Sequence, residues 1–337
     1  MPVGTAARLR DDVRATGADL VWNPEFLREG HAVQDTISPD RIVYGVAADD
    51  PPSSPSPDPS SSASPAGDAA GCGAAARSVA VLDEVYAAAI AAGTPRLVTD
   101  LATAELVKTA ANAFLATKIS FINAMAEIAE VAGADVTQLA DAIGHDARIG
   151  RAFLNAGVGF GGGCLPKDIR AVTARAKELG RGESLRFLEE VDAINLRRRE
   201  RVVGLVVDAL DGSVFGKKVA VLGVTFKPES DDVRDSPALD VAVRLKGLGA
   251  EVVATDPQGI ENARARHPQL LYTPETTEAL RHADAVVLVT EWRAYRDLDP
   301  VAVAEIARGS VVVDGRNVLD RAAWRDAGWT YVGMGRP

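Results

Sequence analysis

From Leu101 to Ala132 the chain runs without a proline or a glycine, and its apolar residues recur at helical spacing. A helix of roughly 30 residues is about 45 Å long, more than a small domain is wide. Apolar residues cover more of its circumference than one packing face can bury, so a second copy of the chain is the natural cover. The rest of the fold must be organised around this rod. Helical patterns continue through Asp135 to Ile143, Leu165 to Leu179 and Ser184 to Leu210, so residues 99–208 read as an all-helical middle domain.

After Asp211-Gly212 the pattern changes. Lys218 to Val224, Glu251 to Pro257, Asp284 to Thr290 and Ser310 to Asp314 read as buried strands. Helical segments precede or separate them, Leu239 to Leu248 being the clearest. Strands alternating with helices predict a doubly wound parallel α/β domain over residues 209–337. Ligands of such sheets bind beyond the carboxyl ends of strands. Thr225, Lys227, Asp256, Glu291 and Arg316 fall there. No Gly-x-Gly-x-x-Gly follows any of these strands, so something other than an ordinary dinucleotide is expected.

Ahead of the rod, residues 1–98 read as the end of an α/β domain. Asp11 to Thr16 could close a helix, and Asp19 to Asn23 and Arg41 to Val46 read as short strands. Residues 79–92 look helical, and Thr94-Pro95 marks a break. Between about 48 and 78 the chain is mostly Pro, Ser, Ala, Gly and Asp. It has too few large apolar side chains to offset its ordering entropy, which predicts a disordered insert.

Composition excludes several classes. The 337 residues suffice for two or more domains. Charge is 37 − 47 = −10, which argues against a nucleic-acid footprint. Two cysteines, Cys72 and Cys164, allow neither a disulfide framework nor a cysteine-based zinc site; no metal is expected, and a reducing cytoplasm is the expected home. No apolar run approaches the ~20 residues of a membrane span. The N-terminus has no basic region followed by an apolar one, so no signal peptide is read there.

Cys164 stands out. It closes Gly157-Val158-Gly159-Phe160-Gly161-Gly162-Gly163 and precedes Leu165-Pro166-Lys167-Asp168, which reads as a helix start because Pro suits the first turn and an acid the positive end. The glycines would let backbone approach a ligand. A thiol beside a helix N-terminus and a lysine is in surroundings that favour the nucleophilic thiolate. The spacing alone leaves a buried, inert cysteine open.

Four segments resemble, in order, the UDP-glucose/GDP-mannose dehydrogenase family. Asn23-Pro24-Glu25-Phe26-Leu27-Arg28-Glu29-Gly30 is similar to its substrate loop and Glu105 to Phe114 to its central helix. Phe160 to Asp168 is similar to its catalytic cysteine motif. Gly223 to Pro228 with Asp232 to Pro237 resembles the start of its C-terminal domain. The resemblance implies a remnant of an N-terminal Rossmann domain, a helical dimerisation domain and a UDP-sugar-binding domain. It implies two NAD-dependent oxidations of a nucleotide-sugar alcohol through a cysteine thiohemiacetal and thioester. By that resemblance the catalytic residues are Cys164, Lys108, Asn112, Asp168 and Glu25. Phe26, Leu27, Glu29, Arg148, Phe153, Phe160, Gly161, Lys227 and Arg316 would contact substrate, Arg148 across a homodimer. Lys167 and Arg234 would face the cofactor. UDP-glucose is the first expected substrate; GDP-mannose stays open, as does a non-catalytic nucleotide-sugar-binding subunit. Met1-Pro2-Val3-Gly4-Thr5 resembles a family segment that follows the cofactor's glycine fingerprint. The expectation is a truncated chain that binds NAD weakly alone, with a separate NAD-domain polypeptide as one partner.

Overall fold

The computed structural model describes residues 3–47 and 73–337 and divides into two compact units, 1–111 and 112–337.

The first unit holds α1 (Thr5–Arg14), β1 (Val21–Trp22), α2 (Ala32–Ile37), β2 (Ile42–Val46), α3 (Ala74–Val85), α4 (Ala87–Ala91) and β3 (Arg96–Asp100). Its sheet has the order β1-β2-β3, antiparallel between the first two and parallel between β2 and β3. Ile42, Tyr44 and Ala89 form its buried centre. The strand β3 was not foreseen, because its side chains are largely exposed and show no alternation. Most of the Pro- and Ser-rich stretch, with Cys72, lies outside the described residues. Its last part, however, is helical: Ala74-Ala75-Ala76-Arg77-Ser78 opens α3, as the high helix propensity of alanine and arginine favours.

The rod is α5 (Leu101–Ala132), and the boundary between the units falls inside it. It starts directly after β3. Asp100 accepts from the Thr103 amide at 2.8 Å and the Thr103 hydroxyl at 2.6 Å, which fixes that start. It stops at Gly133, whose φ of 70° lets the Ala134 amide turn back to the Ala129 carbonyl at 3.0 Å.

The second unit continues with α6 (Val136–Gly144), α7 (Leu165–Glu178), a 3-10 turn at Gly182–Leu185 and α8 (Phe187–Ala209). Then come β4 (Lys218–Leu222), α9 (Pro237–Gly247), β5 (Glu251–Thr255), α10 (Ile260–Arg266), β6 (Leu271–Tyr272) and α11 (Thr276–Leu280). The chain ends through β7 (Ala285–Leu288), α12 (Arg293–Arg296), α13 (Pro300–Ile306), β8 (Val311–Asp314), α14 (Arg321–Asp326) and β9 (Thr330–Gly333). All six strands are parallel, in the order β6-β5-β4-β7-β8-β9. The expected doubly wound sheet is therefore present, with two further strands, β6 and β9. The order reverses between β4 and β7, which opens the ligand crevice at their carboxyl ends. Val219 and Val221 face one apolar core with α8 and α9; Ala220 and Leu222 face the other. This alternation on a sheet buried on both faces explains the continuous apolar strands.

Candidate functional site

Cys164 is exposed and caps the N-terminus of α7, with Pro166 in the first turn. Its carbonyl accepts the Asp168 amide at 2.9 Å, the first hydrogen bond of that helix. Asp168 is buried, unlike the thiol one turn before it. Asn112 Nδ2 donates to Asp168 Oδ2 at 2.7 Å, and Lys167 Nζ lies 3.4 Å from Asp168 Oδ1. A buried carboxylate needs such partners. The structure thus brings Cys164, Asp168, Asn112 and Lys167 together.

The glycine-rich loop approaches protein rather than leaving room for a ligand along its length. Gly159 has φ 97° and lies hard against Asn195, and a Cβ on Gly161 would collide with the Asp235 carbonyl. Those contacts, not ligand access, are what forbid a side chain there. The Val158 amide donates to the Gly315 carbonyl at 2.8 Å, and the Gly157 amide to Asn123 Oδ1 at 2.8 Å. Asn195 holds Phe160 on both sides, accepting from its amide at 2.7 Å and donating to its carbonyl at 2.9 Å. Phe160 itself packs with Ala116, Ile169, Leu188 and Val191. Asn123, Asn195 and Arg199 were missed from sequence. Asn123 carried a signal, a polar side chain within the apolar α5; Asn195 and Arg199 did not, because the α8 sequence around them is rich in charge.

At the sheet's carboxyl edge, Asp256 accepts from the Val224 amide at 2.8 Å, the Thr225 hydroxyl at 3.0 Å and Trp292 Nε1 at 3.1 Å. This buried network shapes the β4 exit. Lys227 is half-buried, with Nζ 5.6 Å from the Phe226 ring centre. Arg316 follows β8 and reaches three carbonyls, Val289 at 2.8 Å, Gly159 at 2.9 Å and Phe226 at 3.2 Å, besides Glu291 at 3.0 Å. Its guanidinium therefore ties the thiol loop to the strand ends.

Arg148 is on the surface, its side chain 90% exposed, paired to Asp146 at 2.6 Å; that pair raises the arginine's pKa and lowers the acid's. Phe153 is exposed, with φ 65°. In the first unit, Lys108 is half-buried on α5. Glu25 is exposed on a cleft of about 330 Å³ that Phe26, Leu27, Arg41 and Tyr86 also line. Glu29 lies on the surface two residues further on from Leu27. The Arg41 guanidinium stacks 3.8 Å from the Phe26 ring centre. Arg28 pairs with Asp35 through its own amide at 2.7 Å and its guanidinium at 2.6 Å, which holds the Asp35 carboxyl down to about 2.

Among the described residues no group of three or more His, Cys, Asp and Glu could hold a metal, and no helix is long and apolar enough to cross a membrane. For a nicotinamide cofactor the fit is partial. The Arg234 guanidinium lies over Gly163, the residue before Cys164, and is paired with Asp232 at 2.8 Å; Lys167 stands on the first turn of α7, and the two cations are of the type that grips a phosphate. The spacing Gly157-x-Gly159-x-x-Gly162 occurs, but it follows a turn, not a strand, and its amides bond protein. It is not a pyrophosphate cradle.

Known proteins match this chain along its length. Residues 1–53 match the NAD binding domain of the UDP-glucose/GDP-mannose dehydrogenase family, 102–197 its central domain and 220–321 its UDP binding domain. A UDP-glucose 6-dehydrogenase of Rhizobium meliloti is 39% identical, the match covering all of this chain and 72% of that one. UDP-glucose 6-dehydrogenase TuaD of Bacillus subtilis is 37% identical over all of this chain and 67% of its own length. The solved UDP-glucose dehydrogenase of Pyrobaculum islandicum superposes with TM-score 0.81 at 35% identity, covering all of this chain and 69% of that one.

Proposed function

The chain belongs to the UDP-glucose/GDP-mannose dehydrogenase family, and from that premise we propose that it carries the chemistry of a UDP-glucose 6-dehydrogenase. The family is one of oxidoreductases, and its cofactor is NAD. The observation that carries the reading is the exposed thiol of Cys164 at the start of α7, one turn from a buried Asp168 held by Asn112.

NAD, when bound, would accept one hydride from the alcohol and a second from the thiohemiacetal formed from its aldehyde. The Cys164 sulfur adds to the aldehyde carbon, giving a thiohemiacetal, because a thiolate is both a good nucleophile and a good leaving group. Oxidation of that adduct leaves a thioester, which water cleaves to the carboxylate. Asp168 holds or moves the proton of that water, and Asn112 fixes the carboxylate's orientation. Lys108 as partner of the alkoxide and Glu25 as base of the hydrolysis are proposed on their motifs alone. Lys227 at the β4 exit suits the diphosphate of a UDP-sugar, with Phe160 and Gly161 setting the backbone beside the sugar. Phe26, Leu27, Glu29, Arg148 and Phe153 are proposed as further substrate contacts, and Lys167 and Arg234 as cofactor contacts.

We also propose that two copies pair through α5. Phe114, Phe121 and Ile128 recur every seven residues and are 67%, 50% and 59% exposed. That stripe is what a facing helix of a second copy would bury.

Alkylation of Cys164 by iodoacetamide tests the substrate reading without turnover. UDP-glucose should slow it. Protection by GDP-mannose and none by UDP-glucose would move the substrate, and protection by neither would end the proposal.

A further inference from the structure

Three neighbouring residues of α8 reach the glycine-rich loop, and all are buried: Asn195 and Arg198 at 0% exposure, Arg199 at 4%. They stand at i, i+3 and i+4, so one helix face presents them. Asn195 completes a two-sided hydrogen-bonded pair with the Phe160 backbone, at 2.7 and 2.9 Å, as a neighbouring strand would. Arg199 Nη2 reaches the carbonyls of Phe160 and Asp235, both at 3.4 Å, and Nη1 pairs with Asp235 Oδ1 at 3.0 Å. Arg198 Nε reaches the Gly157 carbonyl at 3.4 Å. The three arginine contacts to carbonyls are long, at 3.4 Å; the asparagine contacts are short and paired.

We propose that Asn195 is a positioning residue for the Cys164 thiol. Phe160 stands four residues before Cys164, and the chain between them is all glycine, Gly161-Gly162-Gly163. A triglycine has no side chain with which to fix its own path. Its course must be set from its ends and from the groups it touches. The far end is the first turn of α7; the near end is Phe160, which Asn195 grips by amide and carbonyl. An amide side chain is the one uncharged group that donates and accepts in this paired fashion. Buried, it has no water to compete for those bonds, so the grip is firm. Between the two ends the Gly162 amide donates to the Arg234 carbonyl at 2.9 Å. Losing Asn195 therefore removes the paired hold on the near end and leaves that single bond to set the path to Cys164.

The inference rests on Cys164 being the nucleophile, but its test reads alkylation on the full 337-residue chain and needs neither substrate nor turnover. In Asn195→Ala, Cys164 should react with iodoacetamide at least about threefold more slowly, because the loop that leads into the exposed thiol would no longer be held in one path. Melting should stay cooperative. Asn155→Ala, at an exposed asparagine on the same loop's approach, should react at the native rate. Asn195→Asp keeps the oxygen that accepts the Phe160 amide but loses the donor to its carbonyl, so its rate should fall between. A cooperatively melting Asn195→Ala that reacts at the native rate overturns the proposal. So does an equal slowing in Asn155→Ala. If Asn195→Ala does not fold, Asn195→Asp decides: slowed with a native circular dichroism spectrum supports positioning, and an unchanged rate overturns it.

Discussion

Asn112 Nδ2 donates to Asp168 Oδ2 across 2.7 Å, joining the long central helix to the first turn of the helix that carries the thiol. The two residues are 56 apart in sequence. Asp168 is buried and Asn112 half-buried, so the bond is partly shielded from water. Removing the amide leaves the carboxylate with Lys167 as its charged neighbour.

Asn112→Ala should therefore cost stability as well as turnover. A buried acceptor left without its donor loses about 1–3 kcal/mol. Asp168→Asn keeps the shape but not the base, and should lower turnover by about 10²–10⁴-fold while changing stability less. Urea melts and steady-state rates, run on both variants, separate the two effects. An Asp168→Asn enzyme with native turnover would falsify a proton-handling role for this carboxylate.

The cysteines provide an internal control. Cys164→Ser replaces the nucleophile with a weaker one that is also a poor leaving group. Turnover to the acid should fall on the order of a thousandfold or more, as for other covalent nucleophiles. Cys72→Ser should leave it unchanged, since Cys72 sits in a Pro-, Ser- and Ala-rich stretch outside every family motif. Uronic acid formed at near the native rate by Cys164→Ser would remove the thioester route.

The rod, the parallel C-terminal sheet and the thiol at a helix start were legible because each rests on local pattern. Leu101 to Ala132 lacks helix breakers, and the strand runs are uninterrupted and apolar. Helix α5 begins and ends where the pattern said. The short strand β3 was not legible, because an exposed strand carries no apolar alternation. Nor was the use of the loop glycines: a glycine pattern records that a side chain is forbidden, not what forbids it. Gly161 meets the Asp235 carbonyl, 74 positions away, and only the fold can show that. Asn195 stayed hidden for the same reason. Its partner, the Phe160 backbone, has no sequence signature. Arg316 was placed correctly at a strand end, but its three carbonyl partners come from three different segments.

Acid should loosen the Asn23–Gly30 loop in a defined window. Asp35 holds Arg28 by backbone and side chain, and its pKa falls to about 2. An unfolded aspartate titrates near about 3.9. The folded value is the lower one, so the carboxylate's contribution is fully present above about pH 4 and is lost as pH falls toward 2. Urea midpoints between those limits should drop more steeply for the native chain than for Asp35→Asn. Parallel slopes would show that this pair does not couple to folding.

Nucleotide choice can be read from thermal stability. A ligand that binds only the folded state raises the melting temperature by mass action; at a hundred times its dissociation constant it adds about 2.7 kcal/mol. UDP should raise the melting temperature and GDP should not. Lys227→Ala should weaken the UDP effect, because a cation on the diphosphate is lost. A rise with GDP alone would reassign the base, and equal rises with both would mean that the sheet reads phosphate without reading the base.

Phe114, Phe121 and Ile128 present an apolar line on α5, and Val131 extends it at 85% exposure. Leaving such a line in water forfeits about 25 cal/mol for each Å² of apolar surface it could bury. A two-fold axis lets each helix cover the other with the same residues, so one substitution strikes the interface twice. Phe121→Glu places a charge at the middle of that line on both copies, where like charges would face one another in a dehydrated contact. The native chain should sediment as a dimer at tens of micromolar, and Phe121→Glu as a monomer with the same helical content by circular dichroism. Phe215 is the control: it is 80% exposed but lies ahead of β4, beside Gly249 rather than on α5, so Phe215→Glu should remain a dimer. A native chain that sediments as a monomer at that concentration, or a Phe121→Glu dimer as tight as the native one, would rule out pairing through α5.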